Sequence, residues 1–89
     1  MLHPYMTFAD ETEVCHTQIL DEPQGETVEV HFERPTDNGF CTARCELPSY
    51  KWLIQDGFTP DEIAGFEDFL RANAHLIFKY AREGGIFCA

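Results

Sequence analysis

Basic side chains are scarce in this sequence. Its 89 residues carry six lysines and arginines against 16 aspartates and glutamates, which gives a formal net charge of −10 at pH 7. Residues 1–47 contribute −8 of this charge and residues 48–89 contribute −2. Binding to nucleic-acid phosphates or to an anionic membrane needs a cluster of lysine and arginine, and the sequence has none. We therefore expect no direct nucleic-acid partner and no membrane partner.

Long apolar runs are also missing. No run approaches the ~18 residues that a membrane-spanning helix needs. The opening residues MLHPYM contain neither the basic nor the apolar segment of a secretory signal. The four cysteines are then expected to be reduced thiols, and we predict a cytoplasmic, bacterial protein.

Catalytic motifs are absent as well. The sequence has no Gly-rich phosphate-binding loop, no HExxH motif and no GxSxG motif, and its single serine is Ser49. Cys15 and His16 are adjacent in sequence, so in a strand they would point to opposite faces and could not act as nucleophile and base. The sequence predicts no catalytic residue and no cofactor, which favours a protein that is not an enzyme.

Apolar residues are plentiful despite the charge. Hydrophobic residues make up 44% of the chain and aromatic residues 13%, including eight phenylalanines. A chain this apolar is expected to fold, here as a single domain over residues 1–89. The hydrophobic period is 2 before Pro48 and 3.6 after it. We therefore predict an α+β fold, an antiparallel β-meander of about four strands packed against one long C-terminal helix.

Four segments have the pattern of strands, at residues 5–8, 12–20, 27–34 and 40–47. The turn signal Asn38-Gly39 joins the last two into a hairpin. We predict a register in which Arg34 pairs with Gly39, because it gathers the apolar side chains on one face. The predicted pairs are then Phe32 with Cys41, Val30 with Ala43, Val28 with Cys45, His31 with Thr42, and Glu29 with Arg44.

The register of segment 12–20 has two alternatives. One buries Cys15, Thr17 and Ile19, and the other buries Val14, His16, Gln18 and Leu20. We prefer the first alternative because it buries fewer polar side chains.

The long helix is predicted over residues 60–83. Thr59 is the expected N-cap, Pro60 takes the first helical position, and Glu62 completes a capping box. The pair Gly84-Gly85 is expected to end the helix. An apolar stripe at spacings of three and four suits a helix lying across a sheet, and it comprises Ile63, Phe66, Leu70, Ala74, Ile77 and Ala81.

Two shorter elements complete the predicted fold. Residues 49–55, which include Trp52, are expected to form a short helix before the long one. Residues 86–88 are expected to add a short edge strand.

Two sets of side chains are of the types that bind metal ions. Cys41 and Cys45 would lie about 13 Å apart along a strand, too far for one zinc ion or a disulfide, so we expect them to be core side chains. His16 is expected opposite His31 on the exposed sheet face. With Glu29 and Glu33 beside them, these histidines are the candidate ligands of an alternative metal-binding protein or metal-dependent enzyme.

Acidic side chains are the remaining candidates for function. A run of carboxylates can act as an electrostatic handle for a basic surface. Our leading hypothesis is therefore a small non-catalytic domain that binds a basic or neutral protein partner, and homodimerisation is a further alternative. The predicted partner-binding residues are Asp10, Glu11, Glu13, Asp21, Glu22, Glu26, Glu29 and Glu33.

Overall fold

A computed structural model describes residues 2–84 of the chain. Within this range the fold is α+β, as predicted, with six strands followed by one helix. The elements are β1 (His3–Thr7), β2 (Glu13–His16), β3 (Leu20–Glu22), β4 (Gly25–Thr36), β5 (Gly39–Leu47), β6 (Lys51–Asp56) and α1 (Pro60–Glu83). The edge strand predicted at residues 86–88 lies outside the described residues.

The strands form one antiparallel sheet in the order β1-β2-β4-β5-β6. Strand β4 is the centre of this sheet because it is long enough to take two partners along one side. The first part of β4 pairs with β3 and its later part with β2, while β5 pairs along the other side.

Helix α1 covers one face of the sheet, which we call the helix face. Val30, Phe32, Ala43 and Cys45 on this face are each fully buried. The Phe32 ring stacks on Phe66 of α1, with centroids 4.3 Å apart and planes 5° apart. The residues of α1 that complete this core are Ile63, Phe66, Leu70, Ile77 and Ala81.

The predicted boundaries of α1 are confirmed, and the local signals explain them. The Thr59 hydroxyl accepts from the Glu62 amide, and the Glu62 carboxylate accepts from the Thr59 amide, which closes the capping box. At the other end Gly84 has φ of 86°, a left-handed conformation that glycine adopts without a steric penalty. Among the described residues, no helix is long and apolar enough to cross a membrane.

The predicted β4–β5 register is wrong by two residues. Thr36 pairs with Gly39, so that Phe32 lies opposite Ala43 and His31 opposite Arg44. The prediction ended the strand before Pro35, but β2 stops opposite Glu33, so a proline at position 35 interrupts no pairing with β2. An error of two keeps every side chain on its predicted face, although Glu29 now faces Glu46 instead of Arg44.

The preferred register of segment 12–20 is also wrong. The segment forms two strands, and Val14 and His16 are buried on the helix face while Cys15 is half-buried on the other. The preference was for the register that buries fewer polar side chains. His16 satisfies one ring nitrogen locally, because its Nδ1–H donates to the Thr17 carbonyl at 2.8 Å.

The short helix predicted at residues 49–55 is a strand instead. Strand β6 covers Lys51–Asp56 and pairs with β5. Tyr50, with φ of 61°, lies in the turn that reverses the chain before it. The segment Trp52-Leu53-Ile54 combines aromatic and branched side chains that favour strands, and β5 offers it a free edge.

Candidate functional site: the outer face of the sheet

The face of the sheet opposite to α1 is the candidate site, and we call it the outer face. It is built from the alternate positions of the strands whose other positions are buried under α1. Its residues on the five strands of the main sheet are Pro4, Thr7, Glu13, Cys15, Glu29, His31, Glu33, Pro35, Phe40, Thr42, Arg44, Glu46, Lys51, Ile54 and Asp56.

The pairing of the strands puts like charges directly opposite each other on this face. Glu13 of β2 lies opposite Glu33 of β4, and Glu29 of β4 lies opposite Glu46 of β5. Directly opposed like charges destabilise an antiparallel pair. Two such pairs on one face are therefore expected to weaken the sheet, although Lys51 lies opposite Glu46 on its other side.

The row between the two glutamate pairs is centred on His31. Its side chain is buried, its neighbours across the strands are Cys15 and Arg44, and its Nε2 lies 3.3 Å from the Glu29 carboxylate. Burial lowers the pKa of His31, and Arg44 lowers it further, against the opposing effect of Glu29 and Glu33. The lowered pKa favours the neutral imidazole over the cation.

Cys15 and His31 form the pair that the sequence reasoning missed. Their positions are opposite in the β2–β4 ladder, so both side chains lie on the outer face. Burial raises the pKa of the Cys15 thiol, and Glu13 and Glu33 raise it further. A thiol that stays protonated beside a neutral imidazole is not an activated nucleophile, because the thiolate is the reactive species.

Arg44 is a second unexpected feature of this row. The prediction gave it an ion pair with a glutamate, yet no carboxylate of the described residues lies within ion-pair distance of its guanidinium. Its Nε is buried and has no hydrogen-bond partner among these residues. An unpaired buried donor is unfavourable for folding, so the centre of the outer face contains unused hydrogen-bonding capacity.

A hollow lies at one end of the outer face, beside the β1–β2 turn and the β4–β5 turn. It has a volume of about 350 Å³ and is lined by Thr7, Glu11, Glu13, Pro35 and Phe40. The Phe40 side chain is 65% exposed, the most exposed large hydrophobic residue in the described chain. The hollow therefore combines an aromatic surface with two carboxylates.

Asp10 has a structural role that separates it from the other candidate carboxylates. Its carboxylate accepts from the Thr12 amide at 3.0 Å and forms an ion pair with Arg34 at 3.1 Å. Arg34 also contacts Glu62 at the start of α1. The hydrogen bonds with Thr12 contribute most to the lowered pKa of Asp10, and Arg34 adds to this effect. Asp10 thus ties the β1–β2 turn to β4 and α1.

The remaining acidic candidates lie at the β3–β4 hairpin, away from the hollow. Asp21 lies opposite Glu26, and all three of Asp21, Glu22 and Glu26 are exposed. The Glu26 carboxylate lies 3.5 Å from Arg82 of α1. The eight predicted carboxylates therefore form three groups. Asp10 stands alone, and a second group lies at the β3–β4 hairpin. Only the third group belongs to the outer face and its hollow, and it comprises Glu11, Glu13, Glu29 and Glu33.

The candidate metal ligands are not brought together. His16 pairs with Val30 and lies on the helix face, whereas His31 pairs with Cys15 and lies on the outer face. The expectation that the two imidazoles face each other is wrong, because it depended on the incorrect register. Within residues 2–84 no cluster of three histidine, cysteine, aspartate or glutamate side chains could hold a metal ion.

The two cysteines of β5 lie on the helix face, as expected from their alternation. Cys45 is fully buried, and burial raises the pKa of its thiol to about 12, with smaller contributions from Glu67 and Glu46. Cys41 is half-buried, and its Sγ lies 3.6 Å from the Gly57 carbonyl. Cys45 belongs to the core and Cys41 packs against it.

Comparisons with protein families, with curated proteins and with solved structures find no match to this chain.

Proposed function

We propose that this protein is a non-catalytic interaction domain whose outer face binds a basic segment of a protein partner. The observation that carries the proposal is the presence of two pairs of directly opposed glutamates, Glu13 with Glu33 and Glu29 with Glu46. Each pair costs folding free energy, and a cationic partner would turn that cost into binding energy.

The hollow is the proposed entry point for one side chain of the partner. An arginine side chain could stack its guanidinium on the exposed Phe40 ring while Glu11 and Glu13 neutralise its charge. The apolar surface of Pro35 suits the methylene groups of the same side chain. We therefore propose an arginine of the partner as the occupant of the hollow.

Electrostatics supports a basic partner over a neutral one. Five acidic side chains on the outer face (Glu13, Glu29, Glu33, Glu46 and Asp56) outnumber two basic ones (Arg44 and Lys51). Complementary charge raises the association rate more than the affinity, and salt screens it. Binding is therefore expected to weaken steadily with ionic strength.

A two-dimensional NMR titration tests the proposal with a defined probe. The probe is a capped hexapeptide of alternating arginine and leucine, and its control replaces every arginine by uncharged citrulline. We expect amide shifts confined to the outer face and the hollow, and an affinity for the citrulline peptide at least about tenfold lower, which corresponds to about 1.4 kcal/mol. Shifts that map onto α1, or equal affinity for both peptides, would contradict the proposal.

Matched variants separate a specific site from general attraction. The double variant Glu13→Gln/Glu33→Gln changes the net charge by two on the outer face. The control Asp68→Asn/Glu83→Gln makes the same change on exposed positions of α1. The first variant is expected to lower the affinity for the arginine peptide and the second to leave it nearly unchanged. An equal loss in both would mean that only net charge matters.

A further inference from the structure

Strand β6 is an edge that no strand covers within residues 2–84. It pairs with β5 on one side only, and five of its six residues are exposed. Two of these are large hydrophobic residues, Leu53 at 42% exposure and Ile54 at 37%. Exposed strand edges bind other strands unless the sequence prevents it.

The two end strands of the order β1-β2-β4-β5-β6 differ in their backbone donors. The opposite edge, β1, contains Pro4, which has no N–H to offer to an incoming strand. Strand β6 contains no proline, and all six of its residues retain a backbone N–H. Of these two strands, only β6 has a backbone N–H at every residue.

A bulge in β6 decides which residues share a face. Cys45 pairs with Trp52 and Arg44 with Ile54, so Leu53 is an extra residue without an opposite partner on β5. Lys51 and Asp56 consequently both lie on the outer face, through their pairing with Glu46 and Thr42. Trp52 and Gln55 both lie on the helix face, through Cys45 and Ala43.

This arrangement is complementary to itself when the strand is reversed. We infer that β6 pairs with β6 of a second copy of this chain, antiparallel and around a twofold axis perpendicular to the sheet. Lys51 then lies opposite Asp56 of the second copy, and Trp52 lies opposite Gln55, each pair on a common face. Leu53 and Ile54 of both copies surround the axis. In a strand without a bulge, this register would place Lys51 and the Asp56 of the second copy on opposite faces of the sheet. The extra residue in β6 returns them to the same face.

Charge explains why such a dimer would be weak at low salt. Each copy carries a formal net charge of −10, so two copies repel each other. The contacts at β6 are attractive. They comprise the ion pair of Lys51 with the Asp56 of the second copy, the same pair related by the twofold axis, and the apolar side chains at the axis. Moderate salt screens the long-range repulsion and leaves the apolar contacts in place. The dimer is therefore expected to form more readily at 0.3 M salt than at 0.02 M.

A charge exchange tests this register by sedimentation velocity at several protein concentrations. Lys51→Glu puts a glutamate opposite Asp56 of the second copy, and Asp56→Lys puts a lysine opposite Lys51. Each single variant is expected to weaken the dimer about tenfold, since two attractive pairs become repulsive. The double variant Lys51→Glu/Asp56→Lys is expected to restore the dissociation constant of the unaltered protein.

Trp52 provides a second readout, because it is the only tryptophan in the chain and lies within β6. Its fluorescence is expected to change with protein concentration in step with the sedimentation coefficient. Circular dichroism checks that each variant remains folded.

Three results would overturn the inference. They are a monomer at every concentration and salt, a dimer that the single variants leave intact, and a double variant that fails to recover. The control Glu22→Gln changes an exposed residue of β3, which β4 and β5 separate from β6, and is expected to leave the dimer unchanged. The test separates this inference from the proposed function, because the dimer is measured without any peptide and peptide binding is tested at Glu13 and Glu33.

Discussion

The two faces of the sheet differ in what their paired positions contain. On the helix face, Val30 lies opposite Cys45 and Phe32 opposite Ala43, and all four are fully buried. On the outer face, the same two strands place Glu29 opposite Glu46, and β2 places Glu13 opposite Glu33. The helix face thus contributes the packing that keeps the domain folded, and this packing tolerates two pairs of opposed glutamates on the outer face.

The largest difference in stability between the two faces is expected when one aromatic residue is removed from each. Phe32→Ala deletes a fully buried ring that stacks on Phe66, and it is expected to destabilise the domain by about 3–5 kcal/mol. The matched variant Phe40→Ala removes a ring that is 65% exposed, so its effect should stay within about 0.5 kcal/mol. Urea unfolding measures both. Similar losses in the two variants would mean that the faces do not differ as described.

Lower pH is expected to weaken the domain through its two buried histidines. Burial lowers the pKa of His16 on the helix face and of His31 on the outer face. The unfolded chain therefore binds more protons than the folded one, and stability should fall as the pH drops below about 6.5, the ordinary pKa of histidine. Thermal unfolding between pH 7.5 and pH 5.5 measures the slope.

Variants divide this pH dependence between the faces. His31→Gln is expected to flatten the slope in part and to leave the contribution of His16. The control His75→Gln replaces an exposed histidine of α1 and measures the effect of removing a histidine outside the sheet. If the pH dependence of stability in His31→Gln equals that of the unaltered protein, His31 does not contribute to it and the helix face accounts for all of it.

The smallest expected effect has the opposite sign. Glu33→Gln removes one of two directly opposed carboxylates and should stabilise the domain by about 0.2–1 kcal/mol. Asp68→Asn, on an exposed position of α1, serves as the control and should change stability by less. If Glu33→Gln destabilised the domain, the glutamate would be a structural residue.

The helix and the sheet were not equally predictable from the sequence. The ends of α1 depend on residues close together in the chain, such as Thr59, Glu62 and Gly84, and the prediction located them correctly. Alternation in β4 and β5 likewise identified the face of each side chain. Pairing depends on contacts between distant segments, and Pro35 led to a register two residues away from the observed one.

The candidate site was harder to predict because it depends on the register. The opposition of Glu13 with Glu33, and the placement of Cys15 beside His31, follow only from the β2–β4 pairing. His16 misled the assignment because it is buried although only its Nδ1 is hydrogen-bonded, to the Thr17 carbonyl, and its Nε2 has no partner among the described residues. The exposure of Phe40 and its hollow have no signal in the local sequence, since a phenylalanine in a strand is ordinarily a core residue.

One variant tests the central claim, that the outer face gives up stability in order to bind. The free energy of unfolding and the affinity for the arginine–leucine peptide are measured on Glu13→Gln/Glu33→Gln and on the unaltered protein, in one buffer. We predict that the variant unfolds at a higher urea concentration and binds the peptide more weakly. A variant that loses stability, or that gains stability and binds as well as the unaltered protein, would contradict the claim.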